Sequence, residues 1–222
     1  MTWLIVGAGA QGRLTLELLR ATGDGDSALF VDDDPALQGT HVGDVEVVPR
    51  AGLAERAESG ARVVIAVGDN PRRLRLAASL LAELGEEKFS FGTLVHPSAV
   101  VAPSARTGDG SVVFAGAVVQ SGARIGAHVI VNSGAIVEHD CTIEDGASLS
   151  PGCCMGGRVH VGAGSFIGVG ATLCPRVVVG PGAIVGAGAV VTADVPADTL
   201  AYGVPARAVR AVDADRDWKR LL

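Results

Sequence analysis

The stretch that decides the fold is "VVFAGAVVQSGARIGAHVIVNSGAIVEHDCTI", residues 112–143, in which an aliphatic residue recurs at every sixth position. The same register extends from residue 95 to residue 191. Its two exceptions are Thr107, which is polar, and Met155, which is unbranched. Four residues after each of these positions, the residue is small: Ala, Ser, Cys or Val. A six-residue period with one large and one small inward residue predicts a parallel β-helix, in which three hexapeptides form one triangular coil.

The residues before this repeat follow a different pattern. The strand-like runs "WLIV", "ALFVDDD", "VEVV" and "RVVIAV" alternate with the helix-like segments "QGRLTLELLRAT" and "PRRLRLAASLLAELG". Such alternation predicts a parallel sheet covered by helices. We therefore predict an α/β, half-Rossmann-like domain at 1–92, a β-helix at 93–205 and a C-terminal tail at 206–222, where one interpretation of "DADRDWKRLL" is a short helix.

Composition narrows the class of protein. A net charge of −6 argues against a nucleic-acid or anionic-membrane partner. No apolar run approaches the length of a membrane-spanning helix. The four cysteines show no CxxC spacing, which favours free thiols in a reducing cytoplasm. Cys141 and Cys153 fall on the small inward position of the repeat, so we expect them in the core.

A glycine-rich loop stands near the N-terminus. "GAGAQG", Gly7 to Gly12, follows a strand and opens a helix, and Asp32 ends the next strand. Such a loop lets backbone approach a phosphate at a helix N-terminus, while the carboxylate binds a sugar or base. A dinucleotide fold needs two βαβ halves, and residues 1–92, which precede the repeats, have room for only one. The loop therefore favours a nucleotide-linked substrate over NAD, with a vestigial scaffold as the remaining alternative.

Four motifs occur together along the chain: "GAGAQGR", "FVDDD", "VGDNPRR" and, inside the repeats, "VEHDC". In this order they resemble the nucleotide-amino-sugar N-acetyltransferase and sialic acid O-acetyltransferase family of hexapeptide-repeat acyltransferases. The resemblance implies a left-handed β-helix, a homotrimer, acetyl-CoA as co-substrate without a metal, and a nucleotide sugar held by the N-terminal domain. It also implies that "GVPAR", residues 203–207, closes the helix beside coenzyme A.

The family's substrate positions can be carried over to this chain. The resemblance implies that Gly9, Ala10 and Gln11 lie near the phosphates or the sugar. It also implies that Asp32 and Asp33 lie near the base or the ribose, and that Gly68 lines the pocket. Arg13 is predicted to neutralise phosphate, with an exposed helix charge as the alternative.

The run Glu138–His139–Asp140 interrupts the aliphatic repeat on an outward turn. Acyl transfer requires removal of a proton from the attacking group, and neutral imidazole is a suitable general base near pH 7. A carboxylate on the second ring nitrogen fixes the tautomer. We predict His139 as the base and Asp140, which matches the family motif, as its partner, with Glu138 as the alternative. The other four histidines are predicted to have structural or surface roles, because they lack acidic neighbours in the repeat register.

The acetyl donor is predicted to lie above His139. One coil of about 18 residues places Gly157 on the same corner, where its N–H could stabilise an oxyanion. The adjacent corner carries Val169 and Ala187, which we predict to line the groove for the pantetheine arm. Ser148 stands where relatives often have a second histidine that contacts the donor. A serine can donate a hydrogen bond but does not titrate, and an ordinary turn residue is the alternative.

These observations favour N-acetylation of a nucleotide-linked amino sugar. O-acetylation of a sugar hydroxyl, as in the sialic acid enzymes, and a non-catalytic nucleotide-sugar scaffold are the alternatives. A zinc hydratase on the same fold is disfavoured, because no two histidines are five residues apart. The sequence leaves the base, the sugar, the acylated position and the acyl group open.

Overall fold

The N-terminal domain is built on a six-stranded sheet. The computed structural model describes residues 2–51, 53, 60–85 and 88–213, and the predicted helix in "DADRDWKRLL" lies outside them apart from Asp213. The strand order is β3-β4-β2-β1-β5-β6, with every neighbouring pair parallel except β3–β4. The strands are β1 (Trp3–Val6), β2 (Ala28–Val31), β3 (His41–Val42), β4 (Val45–Val48), β5 (Ala61–Ile65) and β6 (Phe89–Phe91).

The helices follow the predicted pattern. Helix α1 (Ala10–Ala21) follows β1, and a 3₁₀ turn (Gly25–Ser27) leads to β2. Helix α2 (Asn70–Leu84) follows β5; the Asp69 carboxylate caps it by accepting from the Arg72 N–H at 2.7 Å. Gly85, with φ of 75°, ends this helix, because glycine tolerates left-handed backbone.

The repeats form a parallel β-helix with three flat faces, so the predicted architecture is confirmed. Each two-residue strand pairs in parallel with the strand one coil later, as in Val113↔Val131. The first face contains β7 (Leu94–Val95), β10 (Val112–Val113), β13 (Ile130–Val131), β16 (Ser148–Leu149), β19 (Phe166–Ile167) and β22 (Ile184–Val185). The second contains β8 (Val100–Val101), β11 (Val118–Val119), β14 (Ile136–Val137), β17 (Cys154–Met155), β20 (Thr172–Leu173) and β23 (Val190–Val191). The third contains β9 (Arg106–Thr107), β12 (Arg124–Ile125), β15 (Thr142–Ile143), β18 (His160–Val161) and β21 (Val178–Val179).

The large and small inward positions of the repeat fill the core of the β-helix. From Val113 to Val191 the large positions are at most 3% exposed, and Cys141 and Cys153 are fully buried among them. All four cysteines are free thiols. The predicted core placement of Cys141 and Cys153 is therefore confirmed, since the small position lies inside a tight corner.

The β-helix has three columns of turns, here named the first, second and third corner after the face that each one follows. The N-terminal domain packs on the first face, where Trp3 and Leu16 share an apolar cluster with Val112 and Phe114. Helix α2 also reaches the third corner, because Asn70 donates to the carbonyl of Ser165 at 2.9 Å. The second corner is thus the one opposite the face that carries the N-terminal domain.

A hairpin closes the β-helix. Strand β24 (Thr199–Gly203) adds in parallel to β22, and β25 (Ala206–Ala211) turns back antiparallel after the cis peptide Val204–Pro205. Residues 206–211, where the sequence predicts a tail, therefore belong to the sheet of the first face. In the part of the chain that the structure describes, no helix is long and apolar enough to cross a membrane.

Candidate active site

A cleft opens at the carboxyl ends of the central strands of the N-terminal sheet. The chain leaves β1 towards β2 on one side and later returns to β5 on the other, so this is a topological switch point, where α/β sheets bind ligands. The cleft has a volume of ≈ 480 Å³. Its lining includes predicted residues from three loops: Gly9, Ala10, Gln11, Asp32, Asp33 and Gly68.

The glycine loop offers unpaired donors to this cleft. Gly9 is the N-cap of α1, and Ala10 and Gln11 open its first turn. Among the described residues the backbone N–H groups of these three residues find no acceptor. Unpaired N–H groups at a helix N-terminus attract anions. The Nε2 of Gln11 is also buried, with no hydrogen-bond partner in the part of the chain that the structure describes. The arrangement is therefore suited to an oxygen-rich, anionic ligand.

The two predicted aspartates differ in their surroundings. Asp32 accepts from the N–H of Ala8 at 2.8 Å and from the N–H of Asp34 at 3.0 Å, so its carboxylate holds the glycine loop against the end of β2. Asp33 is exposed, and within the described segments its side chain contacts no donor. Asp33 is thus the carboxylate that a sugar or base could engage directly.

Two arginines line the cleft, and neither of them is the predicted Arg13. Arg13 is exposed and is absent from the lining, because it lies on the outer side of α1. Arg50 and Arg72 line the cleft instead. Arg50 is held by Glu83, whose Oε2 lies 2.7 Å from its Nη2. Neither arginine was predicted from the sequence, although the position of Arg72 directly after "GDNP", in the first turn of α2, was an available signal.

The acid–imidazole–acid run lies on the second corner of the β-helix. The Nδ1 of His139 donates to the Oδ2 of Asp140 at 2.9 Å. Glu138 instead accepts from the backbone N–H of His139 at 3.3 Å. Because Nδ1 is engaged by a carboxylate, the Nε2 of a neutral imidazole is left unprotonated and able to accept a proton. Asp140 is therefore the carboxylate that orients the ring.

The electrostatic setting of Asp140 keeps it ionised. The hydrogen bond from His139 lowers the pKa of the Asp140 carboxyl, and the charges of His139 and Arg158 act in the same direction. The Nε of Arg158 lies 3.7 Å from the Asp140 carboxylate. The backbone of Asp140 is left-handed, with φ of 59°, a conformation that Asp tolerates better than most residues.

Gly157 lies next to the imidazole. A β-carbon on Gly157 would overlap the His139 ring at Nε2. The carbonyl of Gly157 accepts from Arg176, whereas its N–H has no acceptor among the described residues. An unpaired N–H beside an imidazole nitrogen matches the geometry of an oxyanion donor.

Ser148 requires a correction. It is buried beneath the N-terminal domain, where it donates to the Oδ1 of Asn70 at 2.6 Å and accepts from Arg73 at 3.1 Å. A donor molecule at His139 cannot reach it within this chain. The reason is that nine residues are half of one coil, so Ser148 lies on the face opposite the second corner.

Val169 and Ala187 stack on the first corner, as the repeat predicts, and both are exposed. Val169 is 55% exposed, and the hairpin of β24 and β25 lies close by, with Tyr202 against Gly186. An exposed, partly apolar surface is available there, and its contact with coenzyme A stays a prediction.

The remaining histidines are only partly as expected. His128 is buried and packs edge-on to Phe91, with ring centroids 4.4 Å apart. His160 does have an acidic partner: its Nε2 donates to the Oε1 of Glu144 at 2.7 Å. The acid belongs to the coil below, so the local sequence around His160 does not reveal it. In residues 2–51, 53, 60–85 and 88–213, no group of three or more His, Cys, Asp or Glu side chains could hold a metal ion.

Family models match both parts of the chain. Residues 3–80 match the PglD N-terminal domain, and residues 158–193 match the bacterial transferase hexapeptide (six repeats). UDP-N-acetylbacillosamine N-acetyltransferase of Bacillus subtilis (strain 168) is 39% identical over 111 residues. That match covers 48% of this chain and 48% of the relative, so it spans about half the length of the curated protein.

Solved structures are similar over nearly the whole chain. PerB from Caulobacter crescentus, in complex with CoA and GDP-perosamine, is 38% identical, with a TM-score of 0.85 over 95% of this chain and 98% of its own. The acetyltransferase domain of PglB from Neisseria gonorrhoeae FA1090, in complex with acetyl coenzyme A, is 37% identical, with a TM-score of 0.86 over 94% and 98%. This similarity extends to the left-handed hexapeptide β-helix and to the N-terminal domain together.

Proposed function

The chain belongs to the family of hexapeptide-repeat, left-handed β-helix sugar N-acetyltransferases with a PglD-type N-terminal domain, and from this premise we propose that it transfers an acetyl group from acetyl-CoA to the amino group of a nucleotide-linked amino sugar. The observation that carries the proposal is the hydrogen bond from the Nδ1 of His139 to Asp140, because it leaves Nε2 as a base on an exposed corner. Relatives act on or bind both UDP- and GDP-linked amino sugars by name, so either base is compatible with the family.

In the proposed reaction, the sugar amine attacks the carbonyl carbon of the thioester. The Nε2 of His139 takes the proton from the amine, and Asp140 stabilises the imidazolium that forms. The N–H of Gly157 donates to the oxyanion of the tetrahedral intermediate. The intermediate collapses as the carbon–sulfur bond breaks, and the coenzyme A thiolate leaves and takes the proton back from the imidazolium. No metal is part of this scheme.

The cleft of the N-terminal domain is the proposed nucleotide site. The unpaired N–H groups of Gly9, Ala10 and Gln11 suit the diphosphate, and the cationic Arg72 adds attraction for its charge. Asp33 is the proposed partner for a ribose hydroxyl or the base. Gly68 lines the opposite wall.

A homotrimer is the proposed assembly. The N-terminal domain packs on the first face, whereas His139 lies on the opposite corner and its side chain is 50% exposed. A substrate that is held by the N-terminal domain of one chain therefore reaches a His139 most directly on a neighbouring chain. Val169 and Ala187 are proposed to line the pantetheine groove. The four free thiols favour a cytoplasmic location.

The test is mass spectrometry of products formed from acetyl-CoA and a panel of UDP-, GDP- and dTDP-linked amino sugars. We expect one nucleotide sugar to gain one acetyl group, and the product to resist hydroxylamine, which cleaves esters but leaves amides intact. A hydroxylamine-sensitive product would replace the proposal with O-acetylation. Nucleotide-sugar binding without any acetylation across the panel would indicate a non-catalytic scaffold.

A further inference from the structure

A cation is buried where the two domains meet. Arg73, in the first turns of α2, is 1% exposed. Its Nη1 donates to the carbonyl of Val67 at 2.7 Å and, more weakly, to that of Gly68 at 3.4 Å. Its Nε donates to the carbonyl of His128 at 2.9 Å, and its Nη2 to the carbonyl of Gly146 at 2.7 Å. One guanidinium therefore ties the loop after β5 to the third corner of the β-helix.

Stability alone does not account for this arginine. No carboxylate accepts from it among the described residues. Its other acceptors there are the Oδ1 of Asn70 at 2.8 Å, the hydroxyl of Ser148 at 3.1 Å and, more weakly, the carbonyl of Ala147 at 3.4 Å. Burial lowers the pKa of Arg73 to about 9, and the nearby charge of Asp69 opposes this shift, so the group is still charged at neutral pH. Burial of a charge carries a large desolvation penalty, and apolar residues often stabilise a core at least as well.

The carbonyls that Arg73 binds belong to the wall of the nucleotide cleft. Val67 and Gly68 line the cleft directly. In a planar trans peptide the N–H points away from the C=O. Because the carbonyls of Val67 and Gly68 turn towards Arg73, the N–H groups of Gly68 and Asp69 point away from it. Neither N–H donates to a protein group in the part of the chain that is described.

These relationships assign a role to Arg73. We propose that Arg73 is a positioning residue, which holds the Gly68 and Asp69 N–H groups towards the diphosphate of the bound nucleotide sugar. The inference rests on the proposed function of the cleft. It adds a second set of phosphate donors, on the loop after β5, which neighbours the glycine loop of Gly9 to Gln11. The β-helix is then the anchor for that set.

The β-helix is a rigid anchor for this purpose. The acceptors at His128 and Gly146 are backbone carbonyls of successive coils on one corner, fixed by the parallel ladder. Asn70 reinforces the joint, since its Nδ2 donates to the carbonyl of Ser165 at 2.9 Å. The charge of Arg73, which donates to no carboxylate among the described residues, also lies behind the cleft wall, and its field favours an anion there.

The test compares binding of a nucleoside diphosphate with binding of the matching nucleoside by calorimetry, using UDP and uridine or GDP and guanosine according to the base that the wild type accepts. Arg73→Lys keeps the charge but loses the planar fork of donors, and Arg73→Met removes both. We expect each variant to bind the diphosphate about tenfold or more weakly while nucleoside affinity is retained, since charge-assisted hydrogen bonds to phosphate are lost. The KM for acetyl-CoA is expected to stay near the wild-type value.

Ser148→Ala is the matched control, because it removes one side-chain partner of Arg73 and leaves the carbonyl contacts in place. It is expected to retain diphosphate affinity. Equal weakening of diphosphate and nucleoside in the Arg73 variants would overturn the inference and leave a purely structural role. A wild-type protein that does not prefer the diphosphate over the nucleoside would instead contradict the proposed function of the cleft.

A second measurement does not depend on whether the variants fold. In the wild-type protein, addition of inorganic pyrophosphate is expected to shift the amide NMR resonances of Gly68 and Asp69 together with those of Gly9 to Gln11. Shifts confined to the glycine loop would overturn the inference, because Gly68 and Asp69 would then not face the anion.

Discussion

The imidazole of His139 fills the space into which a side chain at Gly157 would project. A β-carbon on Gly157 would overlap the ring at Nε2, although the two residues belong to successive coils. The backbone of Gly157 is not left-handed, so glycine is required here for space and not for conformation. The same contact brings the unpaired N–H of Gly157 close to the nitrogen that we propose as the base.

Gly157→Ala is therefore expected to displace the imidazole and lower kcat by roughly 10²-fold, since a shift of about 1 Å at a reacting group has such an effect. Thermal stability is expected to change little, because Gly157 lies on an exposed corner. Steady-state kinetics and a melting curve check both points. Ser121→Ala, one coil below His139 on the same corner, is the control. A Gly157→Ala enzyme with wild-type kcat would contradict the assigned geometry.

Loss of the base is expected to stop the chemistry while binding persists. His139→Ala is expected to reduce kcat by about 10²- to 10⁴-fold, the usual range for general-base catalysis, with nucleotide-sugar affinity retained in calorimetry. An enzyme near the wild-type rate would remove His139 from the mechanism.

Asp140→Asn isolates the orienting role of the carboxylate. Asn tolerates the left-handed backbone of Asp140, so the fold is expected to be kept. We expect a fall in kcat of at least about tenfold, because the amide cannot stabilise the imidazolium as a carboxylate does. Glu138→Gln is the matched control and is expected to be nearly neutral, since Glu138 contacts the backbone of His139 and not its ring. A change in KM alone for Asp140→Asn would argue against this role.

Stability is expected to fall in mildly acidic solution because of His128. Burial lowers its pKa, and the charge of Arg73 adds to that effect, while Asp109 and Asp145 oppose it. The unfolded chain therefore takes up this proton first, at about pH 6.5. The contribution of His128 is fully present above that pH and is lost as the pH falls towards and through the lowered, folded-state value.

His128→Asn removes the titrating group and tolerates the left-handed backbone, with φ of 55°. We expect the decline in Tm between about pH 7.5 and pH 5 to be shallower in this variant. Melting curves across that range measure it. An unchanged slope would show that other groups control the acid sensitivity.

The core cysteines are expected to be inert. Burial raises the pKa of the Cys153 thiol to about 12 and also raises that of Cys141, so neither forms the reactive thiolate at neutral pH. Iodoacetamide is expected to label neither residue in the native protein and both in urea, as read by peptide mass spectrometry. Cys141→Ala is expected to remain active. Native labelling of Cys153 would mean that the β-helix core opens.

Some features could be predicted because they depend on local sequence. The period from residue 95 to residue 191 specifies the β-helix, since each hexapeptide needs one large and one small inward residue. The same period places Gly157 over His139, because one coil later means the same corner. The spacing of the glycine loop likewise predicts a cleft at the end of β1.

Other features depend on which face meets which domain. Ser148 could not be placed, because the repeat does not reveal that the N-terminal domain covers the first face. Arg72 and Arg73 are neighbours in sequence, yet one lines the cleft and the other is buried against the β-helix. The Glu144–His160 pair joins residues of different coils and was missed for the same reason.

By itself, the sequence determined the two-part architecture, the solenoid core and the outward corner that carries His139 and Asp140, because strand, turn and coil repeat are set by residue spacing. Only the tertiary structure decided that Asp140 and not Glu138 orients the imidazole. It also decided that Arg73 joins the cleft wall at Val67 to the β-helix. Those outcomes depend on side-chain directions and domain packing, and no period in the chain encodes them.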